Sequence, residues 1–298
     1  MHKIYVIIIS LMLVFSIQVK AEYLSMEELL SKADAGDIQS QEQTASNYLG
    51  GYNHFAKDLS KAQHYYLLAA KQGSLKGQYY TGKFFQTGAF GKPDMIQAVY
   101  WYTKAAEQGH VQSSMLVGDA YLMGVGVEKS TDEAVKWILF AARRNSPVAL
   151  FRAGNLYLNG TGVAQDYGMA IKMFTQSSQR AFVPANDILG QMYERGAGTQ
   201  KDLEAAFKWY MEGALYGDAA ALMSVGRFRA LGMGTTKSIP HGYMWVHYAS
   251  KAKAKGADEY LQKIQEQMTD ADWTKAKELI VRCEVQRKKR SGRFNWCD

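Results

Sequence analysis

The sequence is poor in cysteine and proline. Its 298 residues include two Cys and four Pro, whereas 47% are hydrophobic and 12% are aromatic. Two cysteines are too few for a disulfide-dense scaffold or for a zinc domain built from cysteines. The low proline content and the mixed charge exclude a proline-rich linker protein and a disordered chain. The composition is that of an ordinary folded domain.

The N-terminus has the pattern of a secretory signal peptide. Lys3 precedes an apolar stretch over residues 4–15, and Val19 and Ala21 stand where a cleavage site needs small or modest side chains. The sequence therefore predicts a signal peptide at 1–21 and a periplasmic or secreted protein that begins near Glu22. An uncleaved membrane anchor is the alternative, but the apolar stretch is shorter than the roughly 20 residues that span a bilayer.

Glycines and aromatic residues recur with a period of 36 residues. Such a fixed period is typical of a repeat protein. The glycine columns are Gly82, Gly118, Gly154, Gly190 and Gly226; Gly88, Gly124, Gly160, Gly196 and Gly232; and Gly126, Gly162, Gly198 and Gly234. An aromatic column contains Tyr65, Trp101, Trp137, Trp209 and Trp245, and only Met173 interrupts it. We interpret this column as repeat core rather than as a platform for stacking bases or sugars.

Each repeat is predicted to be a pair of helices joined by a glycine turn. In the fifth repeat, one helical pattern ends at Gly196 and Gly198, and a second pattern ends at Gly217. We expect Tyr193 and Trp209 to fill the wedge between the two helices, against the small Gly190. Asp202 stands where the second helix needs an N-cap.

The repeat pattern is similar to that of a known family. The pattern Ala-x-x-x-Leu-Gly-x-x-Tyr-x-x-Gly-x-Gly, followed by Asp-x-x-x-Ala-x-x-Trp-Tyr, resembles the Sel-1-like repeat, and WYTKAAEQG at 101–109 resembles that family's second helix. The resemblance implies an all-α fold, a right-handed α/α solenoid of about six helix-turn-helix repeats of the tetratricopeptide-like superfamily. The predicted repeats are 37–73, 74–109, 110–145, 146–180, 181–217 and 218–256.

Helical caps are predicted at both ends of the repeats, because an uncapped repeat array exposes one apolar end. An N-terminal capping helix is expected within 22–36, opened by a capping box at Ser25 and Glu28. Two C-terminal capping helices are expected within 257–287, and a basic tail follows at 288–298. Cys283 and Cys297 are predicted to form a disulfide that holds this tail; two independent thiols are the alternative.

The net charge of +7 is not spread over the repeats. Lys3 and Lys20 contribute two of these charges, and residues 282–298 contribute four, so the remainder of the chain is almost neutral. The repeats therefore do not have the basic surface of a nucleic-acid-binding protein. The tail allows a weak contact with an anionic surface.

The sequence contains no recognisable catalytic or metal-binding motif. No nucleophile elbow, catalytic triad or paired acids can be assigned, and the six His form no zinc pattern. We therefore predict no catalytic residue, no metal ligand and no cofactor.

The family resemblance implies a scaffold or adaptor that binds a partner protein on the concave surface of the solenoid, here in the bacterial envelope and as a monomer. Helical geometry selects the first-helix residues that point away from the repeat core. The predicted partner-binding residues are Tyr79, Lys83, Met115, Asp119, Phe151, Asn155, Asp187, Gln191, Glu194, Met223 and Arg227. Tyr79 and Phe151 are the best anchor candidates, and packing between adjacent repeats is their alternative role.

Two other functions remain open. Some members of the family are described as weak penicillin-binding or β-lactamase-like enzymes, although the cysteine-rich members that carry this activity have a disulfide in each repeat. The second alternative is a tether that attaches to the envelope surface through the basic tail, or a protein of the immunity type that neutralises a partner.

Overall fold

The computed structural model describes residues 24–89, 91–289 and Phe294. These residues form fifteen α-helices and no strand, so the predicted all-α class of helical-repeat solenoid is confirmed. The helices are α1 (Met26–Asp34), α2 (Ile38–Gly50), α3 (Leu59–Lys71), α4 (Leu75–Thr87), α5 (Met95–Glu107), α6 (Val111–Met123), α7 (Thr131–Ala142), α8 (Pro147–Asn159), α9 (Tyr167–Ser178), α10 (Pro184–Arg195), α11 (Leu203–Leu215), α12 (Ala219–Leu231), α13 (Ile239–Lys251), α14 (Ala257–Gln265) and α15 (Asp270–Lys289). The predicted signal peptide lies outside the described residues.

Two compact units can be distinguished, and each is described separately. The first contains residues 24–113 together with Val125–Val127, and the second contains Ser114–Gly124 and the described residues from Glu128 onward. In both units the even-numbered helices from α2 to α12 are the first helices of the repeats. The odd-numbered helices from α3 to α13 are the second helices.

The second helices begin at a regular N-cap. The Asp202 side chain accepts a hydrogen bond from the backbone N–H of Ala205 at 2.9 Å, as predicted. The same register position supplies the N-cap of every second helix: Asp58, Asp94, Ser130, Asp166, Asp202 and Ser238. A short side-chain oxygen satisfies an amide that the first helical turn leaves without a partner. Each second helix therefore begins at the same position of the 36-residue period.

The turn between two paired helices requires glycine at two places. Gly196 and Gly198 adopt φ values of +73° and +78°, a region that side chains with a Cβ rarely occupy. A Cβ at Gly198 would also lie 2.4 Å from the Cβ of Tyr167, at the start of the preceding repeat's second helix. The turn therefore ends one helix and contacts the previous repeat at the same time.

The residues that fill the space between paired helices differ from those expected. The fully buried column is the one directly after the predicted Trp column, and we call it the seam column: Tyr66, Tyr102, Ile138, Phe174, Tyr210 and Val246. In the predicted column, Trp101, Trp137 and Trp209 are half-buried, whereas Tyr65 and Trp245 at the two ends are buried. A Cβ at Gly190 would lie 2.5 Å from the Tyr210 ring. The glycine column thus accommodates the seam column, and the predicted packing of Trp209 against Gly190 was wrong. The half-buried Trp209 packs against a cluster that includes Leu189 and Met192 of α10.

In the second to sixth repeats, the polarity of the seam column matches that of a second column sixteen residues earlier. In the first repeat that position is Gly50, and the Tyr66 hydroxyl is hydrogen-bonded to Ser46 at 2.8 Å instead. The hydroxyl groups of Tyr102 and Tyr210 donate hydrogen bonds to Gln86 at 2.7 Å and to Glu194 at 2.8 Å. Where the seam residue has no hydroxyl group, the earlier position is apolar. These apolar combinations are Leu122 with Ile138, Leu158 with Phe174, and Ala230 with Val246. The match satisfies the polar groups that the seam buries.

The first unit begins with the predicted capping helix. In α1 the Ser25 side chain accepts from the N–H of Glu28, and the Glu28 carboxylate accepts from the N–H of Ser25, so the capping box is present. Leu29 and Ala33 of this helix are buried in one cluster with Tyr48 and Tyr66. The helix therefore covers the apolar end of the first repeat.

Helices α14 and α15 complete the apolar core at the other end of the second unit. Ile264, Leu279 and Cys283 are buried in one cluster with Trp245 and other residues of α11–α13. Phe294 belongs to the same cluster, where its N–H donates to the carbonyl of Leu215 at 3.1 Å and its ring lies 5.0 Å from that of Tyr248. Cys297 lies outside the described residues, so the disulfide with Cys283 stays a prediction.

Candidate functional site: the first-helix surface

Nine of the predicted partner-binding residues lie on the first helices of the second unit. They occupy α6, α8, α10 and α12, and all nine are half-buried. We call this set the first-helix surface: Met115, Asp119, Phe151, Asn155, Asp187, Gln191, Glu194, Met223 and Arg227. Eight of them fall at two positions of the 36-residue period. The first position forms an apolar row, Met115, Phe151 and Met223, which Asp187 interrupts. The second forms a polar row, Asp119, Asn155, Gln191 and Arg227.

An ion pair at one end of this surface connects two repeats. The Arg227 guanidinium on α12 donates through Nη2 to both carboxylate oxygens of Glu194 on α10, at 2.8 and 2.9 Å. The buried Tyr210 hydroxyl donates to the same carboxylate from below. Burial alone would raise the pKa of Glu194, but the hydrogen bonds from Arg227 and Tyr210 outweigh it and lower the pKa. Glu194 is therefore held as a carboxylate in a partly desolvated position.

A second ion pair connects α6 and α8 in the same way. Arg152 donates to Asp119, thirty-three residues earlier, and the two side chains are 25% and 37% exposed. The Glu194–Arg227 pair has the same separation in the sequence. Arg152 was not among the predicted residues. The other first helices of the second unit have Leu116, Ile188 and Ser224 at this register position. The charged Arg152 among uncharged residues was the one sequence feature that could have identified it.

Asp187 is the carboxylate of the surface that lacks a cation. Its Oδ2 accepts a hydrogen bond from the Gln191 amide at 2.8 Å, and no Lys or Arg among the described residues forms an ion pair with it. Burial raises the pKa of Asp187, the Gln191 hydrogen bond opposes this shift, and the negative charges of Asp218 and Glu194 add to it. Asp187 therefore carries its charge at a cost in free energy.

The two aromatic anchor candidates are in contact with neighbouring rings. Phe151 lies 5.5 Å from Phe174 and 5.1 Å from Phe182, measured between ring centroids. In the first unit, Tyr79 lies 6.0 Å from Tyr102 and 4.7 Å from the ring of His110, and burial raises its pKa. These ring contacts fit the alternative role stated for both residues, packing between adjacent repeats.

The remaining predicted residues differ in exposure. Lys83, also in the first unit, is exposed, and Met223 packs partly buried against the core of the second unit. The half-buried Asn155 amide donates to the backbone carbonyl of Phe151 at 3.2 Å. The first-helix surface thus combines apolar side chains with polar groups that are held in fixed positions.

Neither a metal site nor a membrane span is formed by the residues that the structure describes. Nowhere among them do three potential metal ligands from His, Cys, Asp or Glu come together. The helices in the described ranges are all too short or too polar to cross a bilayer.

The repeated helix pairs define the chain as a helical-repeat protein. A family model identifies which kind of helical repeat it contains. The model of the Sel1 repeat matches residues 38–74, 75–110, 111–146, 147–181 and 183–214, more than half of the chain. The chain belongs to the Sel1 repeat family. The pair α12 and α13 follows the five matched repeats with the same N-cap and seam positions.

Solved structures of related repeat proteins are similar to this chain. One is c5321, a protective antigen present in uropathogenic Escherichia coli strains displaying an SLR fold; it has a TM-score of 0.77 and 26% identity, and the match covers 91% of this chain and 61% of that chain. Another is a Sel1 repeat protein from Oxalobacter formigenes, with a TM-score of 0.66, 26% identity, and coverage of 80% and 68%. This chain thus spans less than two thirds of the length of c5321. No curated protein sequence matches it.

Proposed function

We propose that this Sel1 repeat protein is a non-catalytic scaffold of the bacterial envelope and that it binds a partner protein through the first-helix surface. Sel1 repeat proteins generally serve as protein-interaction scaffolds. The predicted signal peptide at 1–21 supports an exported location.

The single observation that carries the proposal is Asp187. A partly buried carboxylate normally has a cation or several donors, because an isolated charge is costly in a desolvated position. Asp187 has one amide donor and two acidic neighbours. A Lys or Arg side chain from a partner would supply the missing positive charge, and titratable groups with shifted pKa values are concentrated at functional sites.

The surroundings of Asp187 have the composition of a protein interface. Phe151 and Met223 occupy the same register position on the neighbouring first helices. Aromatic residues and methionine are enriched at the centre of interfaces, where they are surrounded by polar groups. The two ion pairs hold the polar groups in place before binding, which lowers the entropy cost of ordering them. We infer that the partner presents a basic side chain to Asp187 and apolar groups to the adjacent row.

Site-specific photo-crosslinking tests this proposal. A benzophenone amino acid is placed at Asn155 of the full chain, and a matched protein carries it at Lys208, an exposed position on the second helix α11. Irradiation in cells should give a defined adduct from position 155 and none from position 208. Equal adducts from both positions, or none from 155, would overturn the assignment of the surface.

A charge reversal sharpens the same experiment. Asp187→Lys should abolish the adduct from position 155, because the partner's basic group would then meet a like charge. Lys208→Glu should leave the adduct unchanged. An adduct that survives Asp187→Lys would show that the carboxylate has no part in binding.

The exported location is tested by fractionation. Cells that produce the full chain should release a protein lacking residues 1–21 into the periplasm or the medium. A full-length protein retained in the cytoplasm would contradict the proposed location.

A further inference from the structure

Asn47 is a polar residue at a position where the later repeats are apolar. It lies four residues before Gly51, the glycine at which α2 ends, and its carbonyl accepts the N–H of this glycine at 2.8 Å. Asn47 is only 4% exposed. The residues at the same distance from the terminal glycine of the later first helices are all buried and apolar: Phe84, Ala120, Leu156, Met192 and Phe228. The repeat fold therefore accommodates an apolar side chain at this position.

The Asn47 side-chain amide uses only part of its hydrogen-bonding capacity within the protein. Its Oδ1 accepts a hydrogen bond from Nδ2 of Asn53 at 3.0 Å. Its own Nδ2 has no acceptor among the residues that the structure describes. A buried donor without an acceptor costs free energy, and an apolar side chain would avoid this cost. The fold of the repeat thus does not explain why an amide stands here.

This donor lines a cavity in the first unit, which we call the N-terminal cavity. Its volume is about 290 Å³, and it is lined by the start of α1, by α2 and by the turn that follows α2. None of the lining residues is Asp, Glu, Lys or Arg. The cavity therefore offers amide groups and apolar surface, and it suits an uncharged ligand that presents an acceptor to Asn47.

The N-terminal cavity arises because α1 is shorter than a second helix of the repeats. Both α1 and α3 are followed by a glycine with a left-handed φ, Gly36 and Gly73, but α1 has nine residues and α3 has thirteen. In a later repeat, the turn after the first helix packs closely on the start of the preceding second helix. A Cβ at Gly234 would lie 2.1 Å from the Leu203 carbonyl oxygen. In the first repeat, the N-terminal cavity lies between the equivalent turn and the start of α1.

The turn beside this cavity differs from the later turns. It is one residue longer between its two caps than each of them. Asn53 and His54 both adopt left-handed φ values, +53° and +66°, and both line the cavity. Two successive residues with a Cβ rarely adopt this conformation, and strain of this kind is concentrated at functional sites. The strained turn and the amide of Asn47 thus face the same space.

We propose that the N-terminal cavity binds a short, uncharged peptide segment of another protein. The Asn47 Nδ2 donates to a main-chain carbonyl oxygen of this segment. The exposed amide of Gln43, one turn earlier on α2, bonds a neighbouring main-chain group. The apolar part of the lining, which includes Leu24, Met26 and Leu29, receives one apolar side chain.

A peptide suits this place better than a saccharide. The equivalent space in the later repeats is filled by main chain, as at Leu203. The phenylalanine of the lining, Phe55, is 3% exposed and packs edge-on against Tyr48 with ring centroids 4.7 Å apart, so it offers no open face on which a sugar could stack. The N-terminal cavity belongs to the first unit, whereas the first-helix surface belongs to the second. It is therefore a site in addition to that surface.

The test titrates the purified, ¹⁵N-labelled protein with N-acetyl-leucine methylamide, which carries two amide groups and one apolar side chain. Side-chain amide signals are followed by NMR, and those of Asn47 are identified by their loss in Asn47→Leu. The probe should shift the signals of Asn47 and Gln43, while those of the buried Asn186 on α10 should stay in place. Unshifted Asn47 signals would overturn the proposal. So would an equal or larger response to N-acetylglucosamine, which would indicate a saccharide site.

Asn47→Leu is also the binding variant, because it restores the apolar residue of the later repeats. It removes the buried donor, so the thermal midpoint should equal or exceed that of the wild type. The affinity for the probe, followed at Gln43, should fall at least about tenfold. The same change at the exposed Asn159 of α8 is the matched control and should leave the affinity unchanged.

Two outcomes for Asn47→Leu would contradict the proposal. One is a folded variant that binds the probe as tightly as the wild type does. The other is a lowered midpoint, because the amide would then serve the fold. None of these results depends on the crosslink from position 155, so this proposal and the proposed function can fail separately.

Discussion

The seam column and the first-helix surface follow different rules, although both are built on the same repeat. In the seam of the second to sixth repeats, each large side chain is matched by a glycine in the facing helix and by a residue of suitable polarity sixteen positions earlier, and in the first repeat Ser46 hydrogen-bonds Tyr66 instead. On the first-helix surface, the apolar row of Met115, Phe151 and Met223 is interrupted by the charged Asp187. The comparison teaches that the period preserves what holds the helices together and leaves the surface free to vary.

The variation on the surface is nevertheless selective. Two ion pairs across adjacent first helices satisfy Asp119 and Glu194, whereas Asp187 forms no ion pair within the part of the chain that the structure describes. The seam satisfies the polar groups that it buries. Asp187 stands in the first turn of α10, where a negative charge is favoured, yet burial and two acidic neighbours raise its pKa, so its charge is only partly compensated within the described residues.

The largest effect is expected in the seam. Phe174→Ala should lower the free energy of unfolding by about 3–5 kcal/mol, because a fully buried aromatic side chain is replaced by a cavity. Urea unfolding followed by circular dichroism measures this loss. Lys172→Ala on the exposed side of the same helix is the control, and it should stay within about 0.5 kcal/mol of the wild type. Similar losses for both variants would remove the distinction between seam and surface.

The next effect concerns the ion pair that joins the seam to the surface. Arg227→Ala leaves Glu194 with Tyr210 as its remaining donor, and the cost should be about 1–3 kcal/mol. A fully buried pair would cost more, but these side chains are 31% and 21% exposed. The expected loss is measured by urea unfolding at neutral pH.

The pH dependence of this pair has a definite sign. The pKa of Glu194 is lowered in the folded protein from the ordinary value of 4.5, despite the opposing effect of burial, so its contribution to stability is present above 4.5 and is lost as the pH falls through the folded pKa. The wild type should lose stability in acid more steeply than Arg227→Ala. Parallel acid limbs would show that the pair does not stabilise the fold.

A smaller effect is expected at an N-cap. Asp202→Ala should cost about 1 kcal/mol, because the N–H of Ala205 loses its acceptor. Asp202→Asn keeps an acceptor oxygen and should cost much less. Thermal unfolding of the two variants provides the comparison, and equal losses would point to the charge rather than the cap.

How far the sequence predicts this architecture depends on the range of the interactions involved. The N-caps, turn glycines and capping box are local, so spacing alone predicts them, as at Asp202 and Ser25. The wedge was assigned to Trp209 instead of Tyr210 because adjacent residues on one helix share an arc, and the bulkier ring was given the core. Whether Trp209 or Tyr210 is buried depends on the angle at which neighbouring helices pack, and the 36-residue period does not specify this angle.

The contacts of the surface were the least predictable part. Asp119 and Glu194 were identified as surface residues, but their cations come from the next repeat at a distance of thirty-three residues. This offset arises from the packing of one first helix on another. Phe151 was expected to point outward, yet its ring lies beside Phe174 and Phe182 because adjacent repeats approach closely there.

The smallest effect on stability, and the most informative, is expected at Asp187. Asp187→Asn should raise the thermal midpoint slightly at neutral pH, because it removes a charge that burial disfavours and keeps an oxygen for Gln191. Since the folded pKa of Asp187 is raised, the destabilisation by its charge is present above that pKa and disappears as the pH falls. The gain should therefore vanish in acid. A gain that persists at low pH would have another cause.

Binding and stability can be measured together in this one variant. The yield of the crosslinked adduct from position 155 and the thermal midpoint are determined for the wild type and for Asp187→Asn. We expect the adduct yield to fall sharply while the midpoint rises, because the carboxylate binds the partner at a cost to the stability of the fold. An unchanged adduct yield, or a midpoint that falls together with it, would contradict the claim that the first-helix surface is built for binding.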